Sequence, residues 1–336
     1  MAASPDRDRL LVFNCHEAWV HQLSALDAEL DIVVGLPGHH HGGWDSRMRP
    51  QPPRSRLLGL AEVQASGGAY DCIIAHNLTD LLDVKALPGP RLLVLHSTYE
   101  GRIASEGATV EAGQLKATLR RYLDLVGGHA IAVSAMKAQD GFPTQVVTAG
   151  VNVEDYPPHN GKKPAGLRIA NHVTQKRTVL AWDLHEAAFA GLPVTLVGHN
   201  PDRPGIEPAR DWAHLKALLS QHRFYIHTAD PRYEDGFNMA LLEAMAAGIP
   251  VIGNRHPTSP VEHGVTGYLA DEPAALRRYA ERLLAEPARA REMGAAARNA
   301  VARLFPLSKF ADGLSHAIET AKRRWRERET RAASVA

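Results

Sequence analysis

Cysteine is nearly absent: Cys15 and Cys72 are the only two among 336 residues, and their spacing pairs with nothing. A disulfide framework is excluded, and reduced thiols are expected. An excess of charge is missing too. Thirty-eight basic residues face 37 acidic ones, for a net charge of +1, so nothing global favours nucleic acid as a partner. No apolar run approaches the length that crosses a bilayer. The opening "MAASPDRDRLLVFNC" has too few apolar residues after its charged stretch for a signal peptide. A soluble protein of the cytoplasm, or of the inner face of its membrane, is expected. The length suits two domains of ordinary size with ample core.

Short apolar runs recur between helical stretches. They are "LLVF" (10–13), "DIVVG" (31–35), "DCIIAH" (71–76), "RLLVLH" (91–96), "AIAVS" (130–134) and "QVVT" (145–148), then "LRIA" (167–170), "VTLVG" (194–198), "FYIHT" (224–228), "PVIG" (250–253) and "GYLA" (267–270). Buried parallel strands alternating with helices give this pattern. The polar, Pro-rich "NVEDYPPHNGKKPAG" (152–166) separates the two sets. An α/β protein of two parallel-sheet domains follows, with a linker near 155–165. In such folds ligands sit beyond the carboxyl ends of strands. Asn14, His76, His96, Ser134, Asn171, Gly198 and Thr228 therefore become candidates.

The stretch "YEDGFNMALLEAMAAGIPVIG" (233–253) sets Glu243 inside an otherwise apolar helix, expected over Asn238–Ala247 and stopped by Gly248. A buried carboxylate needs partners, because isolating its charge costs several kcal/mol. Asp235 lies eight positions earlier, beside Gly236, where backbone can approach a ligand, and before a helix start with free amides. Either a ligand with hydroxyls and phosphates satisfies this constellation, or Glu243 binds neighbouring protein groups and Asp235 caps the helix.

From "EDGFNMALLEAMAAGIPVIG" through "HPTSPVEHGVTGYLADEPAALRRYAERLL" the chain resembles the donor domain of glycosyltransferase family 4. These are retaining enzymes of GT-B fold that use nucleotide-activated sugars. The resemblance is dense over 224–285 and faint in the first hundred residues. It implies two Rossmann-like domains whose sheets face an interdomain cleft. Residues 1–155 would form the acceptor side, 165–306 the nucleotide-sugar side, and 307–336 a helix crossing back to the first domain. Glu243 would accept the two ribose hydroxyls. Asp235, where the family has Glu, would hold the donor sugar, with Glu234 as the substitute. The backbone of Gly236, Phe237 and Asn238 would line the sugar and phosphate pocket.

The family also grips the donor diphosphate with an Arg and a Lys five positions apart. In "LRIANHVTQKRTVLAWDL" Lys176 matches the Lys, Asn171 replaces the Arg, and Arg177 stands where Gly is usual. Arg177 either supplies the lost charge or belongs to a solvated helix start. His96 matches a histidine that faces the donor sugar, and His76 is a weaker candidate of the same kind. The catalytic set is thus His96, Lys176 and Arg177, with Asn171 among the donor-binding residues. "GLPGHHHGGW" (35–44) invites a metal reading through His39, His40 and His41, but adjacent histidines rarely converge on one ion; a flexible acceptor-side loop is expected there. "NCHEAW" replaces the family's Gly-rich loop. The tail is basic over Lys322–Arg328, with Trp325, so membrane contact is at most peripheral.

The implied reaction is sugar transfer from a nucleotide-sugar co-substrate to an unnamed acceptor, without a bound metal or other cofactor. An epimerase or a non-catalytic sugar-nucleotide-binding protein of the same fold are the alternatives.

Overall fold

The computed structural model describes residues 7–36, 42–106, 109–138 and 142–335. Two compact units form: 1–99 with 109–149 and 307–336, and 100–108 with 150–306. The division falls just before Gly150, slightly ahead of the Pro-rich segment.

The first unit is built on seven parallel strands. These are β1 (Asp8–Phe13), β2 (Ala28–Val34), β3 (Ser55–Gly59), β4 (Cys72–Ala75), β5 (Arg91–Leu95), β6 (His129–Ala132) and β7 (Gln145–Val146), in the order β3-β2-β1-β4-β5-β6-β7. β4, β5 and β6 are buried at every position, as strands covered on both faces must be. The helices are α1 (Glu17–His21), α2 (Leu60–Ser66), α3 (Leu78–Asp83), α4 (Tyr99–Glu106), which begins in this unit and continues into the second, and α5 (Ala112–Val126). β3 has no counterpart among the expected strands. It is a half-exposed edge strand, so its sequence carries little apolar signal.

The second unit holds β8 (Lys163–Ile169), β9 (Val194–Val197), β10 (His222–His227), β11 (Val251–Gly253) and β12 (Gly267–Leu269), ordered β12-β11-β10-β8-β9 and all parallel. Its helices are α6 (Trp182–Phe189), α7 (Trp212–Gln221), α8 (Met239–Ala247), α9 (Pro273–Ala285) and α10 (Pro287–Leu304). Asn238 caps α8 by accepting from Leu241 N at 2.9 Å, and Gly248 ends it with φ 80°. Leu241 through Ala247 are all buried. Close packing against α10 is what buries them: a Cβ on Gly294 would lie 1.8 Å from the Gly248 carbonyl oxygen.

The last helix, α11 (Leu307–Val335), belongs to the first unit. Phe310, Leu314, Ala317, Ile318 and Ala321 recur at helical spacing and are buried. Lys322 binds Asp8 at 2.6 Å and Arg324 binds Asp124 at 3.0 Å. Trp325 lies against the guanidinium groups of Arg91 and Arg328. Among the described residues no helix is long and apolar enough to cross a membrane.

Strand order reverses between β1 and β4 in one sheet and between β8 and β10 in the other. In parallel sheets such reversals open a crevice at the carboxyl edge.

Candidate functional site

In the second unit, the loops after β8, β10 and β11 leave from adjacent strands. Thr228 Oγ1 donates to Leu180 O (2.7 Å) and Asp230 N to Val179 O (3.0 Å), fixing the second loop to the first. Asn254 clamps the Ala229 peptide from both sides, at 3.0 and 2.8 Å. These bonds satisfy backbone groups that would otherwise be stranded at the sheet edge.

The turn before α8 is held just as closely. Gly236 N donates to Thr258 Oγ1 (2.9 Å), whose hydroxyl lies 3.2 Å from Asp235 Oδ1, and His256 Nε2 meets Glu234 O at 2.9 Å. A Cβ at Gly236 would come within 2.7 Å of the His256 ring, so only glycine permits this approach. Asp235 is 1% exposed. Its Oδ1 lies against the Thr258 hydroxyl, and Glu234 beside it is half-buried. Asn254, His256 and Thr258 carry no motif in the sequence, although Asn254 directly follows β11 as the other candidates follow their strands.

Glu243 is 6% exposed on α8. The Tyr225 hydroxyl on β10 is pushed up to about 12 by burial, with the Glu243 charge adding to the effect. Phe237 packs its ring on Phe305 at 5.4 Å, while Asn238 stays exposed as the cap.

The loop after β8 separates the three phosphate candidates. Asn171 Oδ1 accepts from His199 N at 2.8 Å, tying this loop to the one after β9. His172 takes φ 52° and donates from its backbone to His199 O at 2.9 Å. Lys176 N closes the turn onto His172 O at 2.8 Å. Arg177 is ion-paired with Asp183 and, at 2.7 Å, with Glu186. Glu186 also accepts from Trp182 (2.8 Å) and Arg203 (3.1 Å), and these bonds, led by that from Arg177, hold it at about 2. The charge of Arg177 is thus paired with two carboxylates of α6. The Lys176 ammonium makes no hydrogen bond or ion pair with the described residues.

Beneath these loops lies Arg168, 1% exposed, donating to Ile226 O (3.1 Å) and Thr228 O (3.0 Å). Sequence patterning missed it because an arginine within a strand run reads as exposed.

In the first unit, His96 and His76 meet beyond β5 and β4, with His76 Nδ1 2.8 Å from His96 Nε2. Burial drives His76 to about 3 and lowers His96 well below its ordinary range, so both rings are neutral. The nearby Lys137, itself buried, adds to this at His96. Asn14 Nδ2 donates to Glu17 at 3.2 Å. His39, His40 and His41, and the loop reading attached to them, lie outside the described residues.

Residues 208–300, which contain α7, α8 and the Glu243 constellation, match the sequence model of glycosyl transferases group 1. Solved structures supply the second comparison. Sucrose-phosphate synthase from Thermosynechococcus elongatus superposes with a TM-score of 0.64 at 16% identity, covering 92% of this chain and 98% of its own. HepE of Anabaena, in complex with UDP and glucose, gives 0.67 at 14% identity over 93% and 100%. A glycosyltransferase from Rickettsia africae gives 0.63 at 12% identity over 94% and 99%. The chain has the GT-B fold. No protein of curated function matches it in sequence.

Three buried histidines make the second unit acid-sensitive. Burial lowers His185 and His227 to about 3 and His222 to about 4. Unfolded, each returns to an ordinary value of about 6.5. Below that pH the unfolded chain takes up protons that the folded unit refuses, so stability falls as pH falls. Above it the effect is absent. Each histidine contributes a slope of up to about 1.4 kcal/mol per pH unit. Urea unfolding should therefore show a marked loss of stability between pH 7 and pH 5.5, and His185→Phe, at the ring stacked on Trp182, should flatten that slope.

Proposed function

We propose that this chain is a retaining glycosyltransferase moving a sugar from a nucleotide-sugar donor to a hydroxyl of an acceptor. The observation that carries the reading is a combination within the second unit. A buried helix carboxylate, Glu243, lies inside the segment matched to glycosyl transferases group 1, and the carboxyl-edge loop after β8 offers the Lys176 ammonium, which has no partner among the described residues.

Each role follows from chemistry. Glu243 accepts hydrogen bonds from the ribose hydroxyls. The backbone at Gly236, Phe237 and Asn238 lines the sugar and phosphates, where a helix start favours negative charge. Glu234 replaces Asp235 at the sugar hydroxyls, since Thr258 already engages Asp235. As the bond from the anomeric carbon to phosphate breaks, charge grows on the leaving diphosphate, and Lys176 opposes it. That diphosphate takes the acceptor proton, so no protein base is needed. His96 touches substrate in the same reading. The donor phosphates need no divalent cation.

A second reading, a nucleotide-sugar-binding protein without turnover, draws on Asn171. The position where the family carries a cation holds a neutral side chain engaged by His199.

UDP, which the HepE complex contains, is the first ligand to titrate by calorimetry. Glu243→Ala should weaken binding by about 2–4 kcal/mol, the value of charge-assisted bonds to two hydroxyls, with unchanged circular dichroism. If the variant unfolds and the parent never binds nucleotides, Glu243 is structural.

Turnover of a nucleotide-sugar panel separates the two cations. Lys176→Ala should lower kcat by about 100-fold, the usual effect of losing one such group. Arg177→Ala should stay within a few-fold of the parent. The reverse ranking would return the phosphate role to Arg177, and a parent without turnover would favour the binding protein.

The same assay in chelator should keep its rate. Loss of activity restored by magnesium or manganese would overturn cation-free donor binding.

A further inference from the structure

The carboxyl edge of the first unit gathers three metal-ligating side chains. Cys15 follows β1, His76 follows β4 and His96 follows β5, and these strands are neighbours in the sheet. The cluster sits where the strand order reverses. One ligand atom from each residue, a thiol sulfur and two imidazole nitrogens, lies within 4.8 Å of the others. In a tetrahedral zinc centre, metal–sulfur bonds of about 2.3 Å and metal–nitrogen bonds of about 2.0 Å hold such atoms about 3.5 Å apart. Drawing the thiol in by about an ångström and parting the two ring nitrogens, 2.8 Å apart, by about half of that completes the arrangement.

The surroundings suit this. His76 is oriented by its backbone N–H, which donates to Asp80 Oδ2 at 2.8 Å, and by Trp19, edge-on at 4.8 Å. Trp19 also walls the His96 ring at 5.5 Å. His76 Nε2 is buried with no hydrogen-bond partner among the described residues, an expensive state for a polar atom. Cys15 is half-buried, which leaves a path for entry.

We propose that Cys15, His76 and His96 bind one zinc-class transition-metal ion, with the fourth coordination position open to water or a hydroxyl ligand. A thiolate with two imidazoles is a borderline-soft set that prefers zinc, cobalt or copper over magnesium or calcium. Binding displaces the thiol proton to solvent and replaces the hydrogen bond between the histidines. The three ligands belong to the first unit, whereas Lys176 and Glu243 belong to the second. If His96 also contacts substrate, an assignment that rests on the proposed function, metal and substrate compete for its ring and metal loading slows transfer.

The test is titration of the full, chelator-stripped chain with cobalt(II) alone. One equivalent should produce a thiolate-to-cobalt charge-transfer band together with visible bands of tetrahedral intensity, all displaced by zinc. Cys15→Ser should abolish the charge-transfer band, whereas Cys72→Ser should keep it. His76→Ala and His96→Ala should each weaken uptake by at least the 10–100-fold typical of losing even a supporting group. No charge-transfer band in the parent, or one that survives Cys15→Ser, would overturn the proposal and leave a hydrogen-bonded histidine pair beside a thiol. Should Cys15→Ser fail to fold, a band retained in Cys72→Ser still assigns the thiolate, because the chain has no third cysteine. The readout needs no sugar transfer, so it stands or falls independently of the enzymatic reading.

Discussion

Every strand of each sheet runs in the same direction, and that constraint organises the chemistry of this protein. Parallel pairing forces each crossover to return over a face, so the loops leaving the carboxyl ends collect along one edge. Where strand order reverses, two neighbouring loops diverge and leave room between them. Residues remote in sequence, such as Asn171, Asp235 and His256, are thereby brought to one edge of the second sheet. Cys15, His76 and His96 are gathered by the same rule at the edge of the first.

The edge of the second unit is stiffened by hydrogen bonds between loops. Thr258, His256 and Asn254 hold the backbone before α8, and Asn171 holds the loop after β8 to its neighbour. A preorganised edge of this kind loses little entropy when a ligand binds. Charge follows a similar economy. Arg177 and Arg203 converge on Glu186, while the Lys176 ammonium makes no hydrogen bond or ion pair with the described residues. Arg168 remains buried on backbone carbonyls beneath the edge, where its fixed charge helps keep His185 and His227 neutral.

In the first unit burial again keeps histidines neutral. It disfavours protonation of both His76 and His96, with His16 adding to it at each ring and His76 adding to it at His96. An imidazole pair held neutral beside a thiol is suited to metal or to hydrogen-bonded substrate. Cobalt spectroscopy distinguishes these states because only one of them involves the thiolate.

What the sequence determined by itself was local and periodic. Continuous runs such as CIIA and FYIH specify buried parallel strands because both their faces must be covered, and Asn238 and Gly248 mark the ends of α8 because caps act within a few residues. The density of small and apolar residues around Glu243 likewise exposed the one carboxylate needing an explanation. The pattern was blind where partners come from elsewhere in the chain. The pairing of Arg177 with Asp183 and Glu186 of α6, and of Asp235 with Thr258 from the loop after β11, has no signature in the local sequence. Cys15, His76 and His96 share no motif, and only the strand order makes them neighbours. Hydrophobic period is encoded over a few residues, but the direction and partner of a polar side chain depend on which loops the sheet sets side by side, and tertiary structure alone decides that.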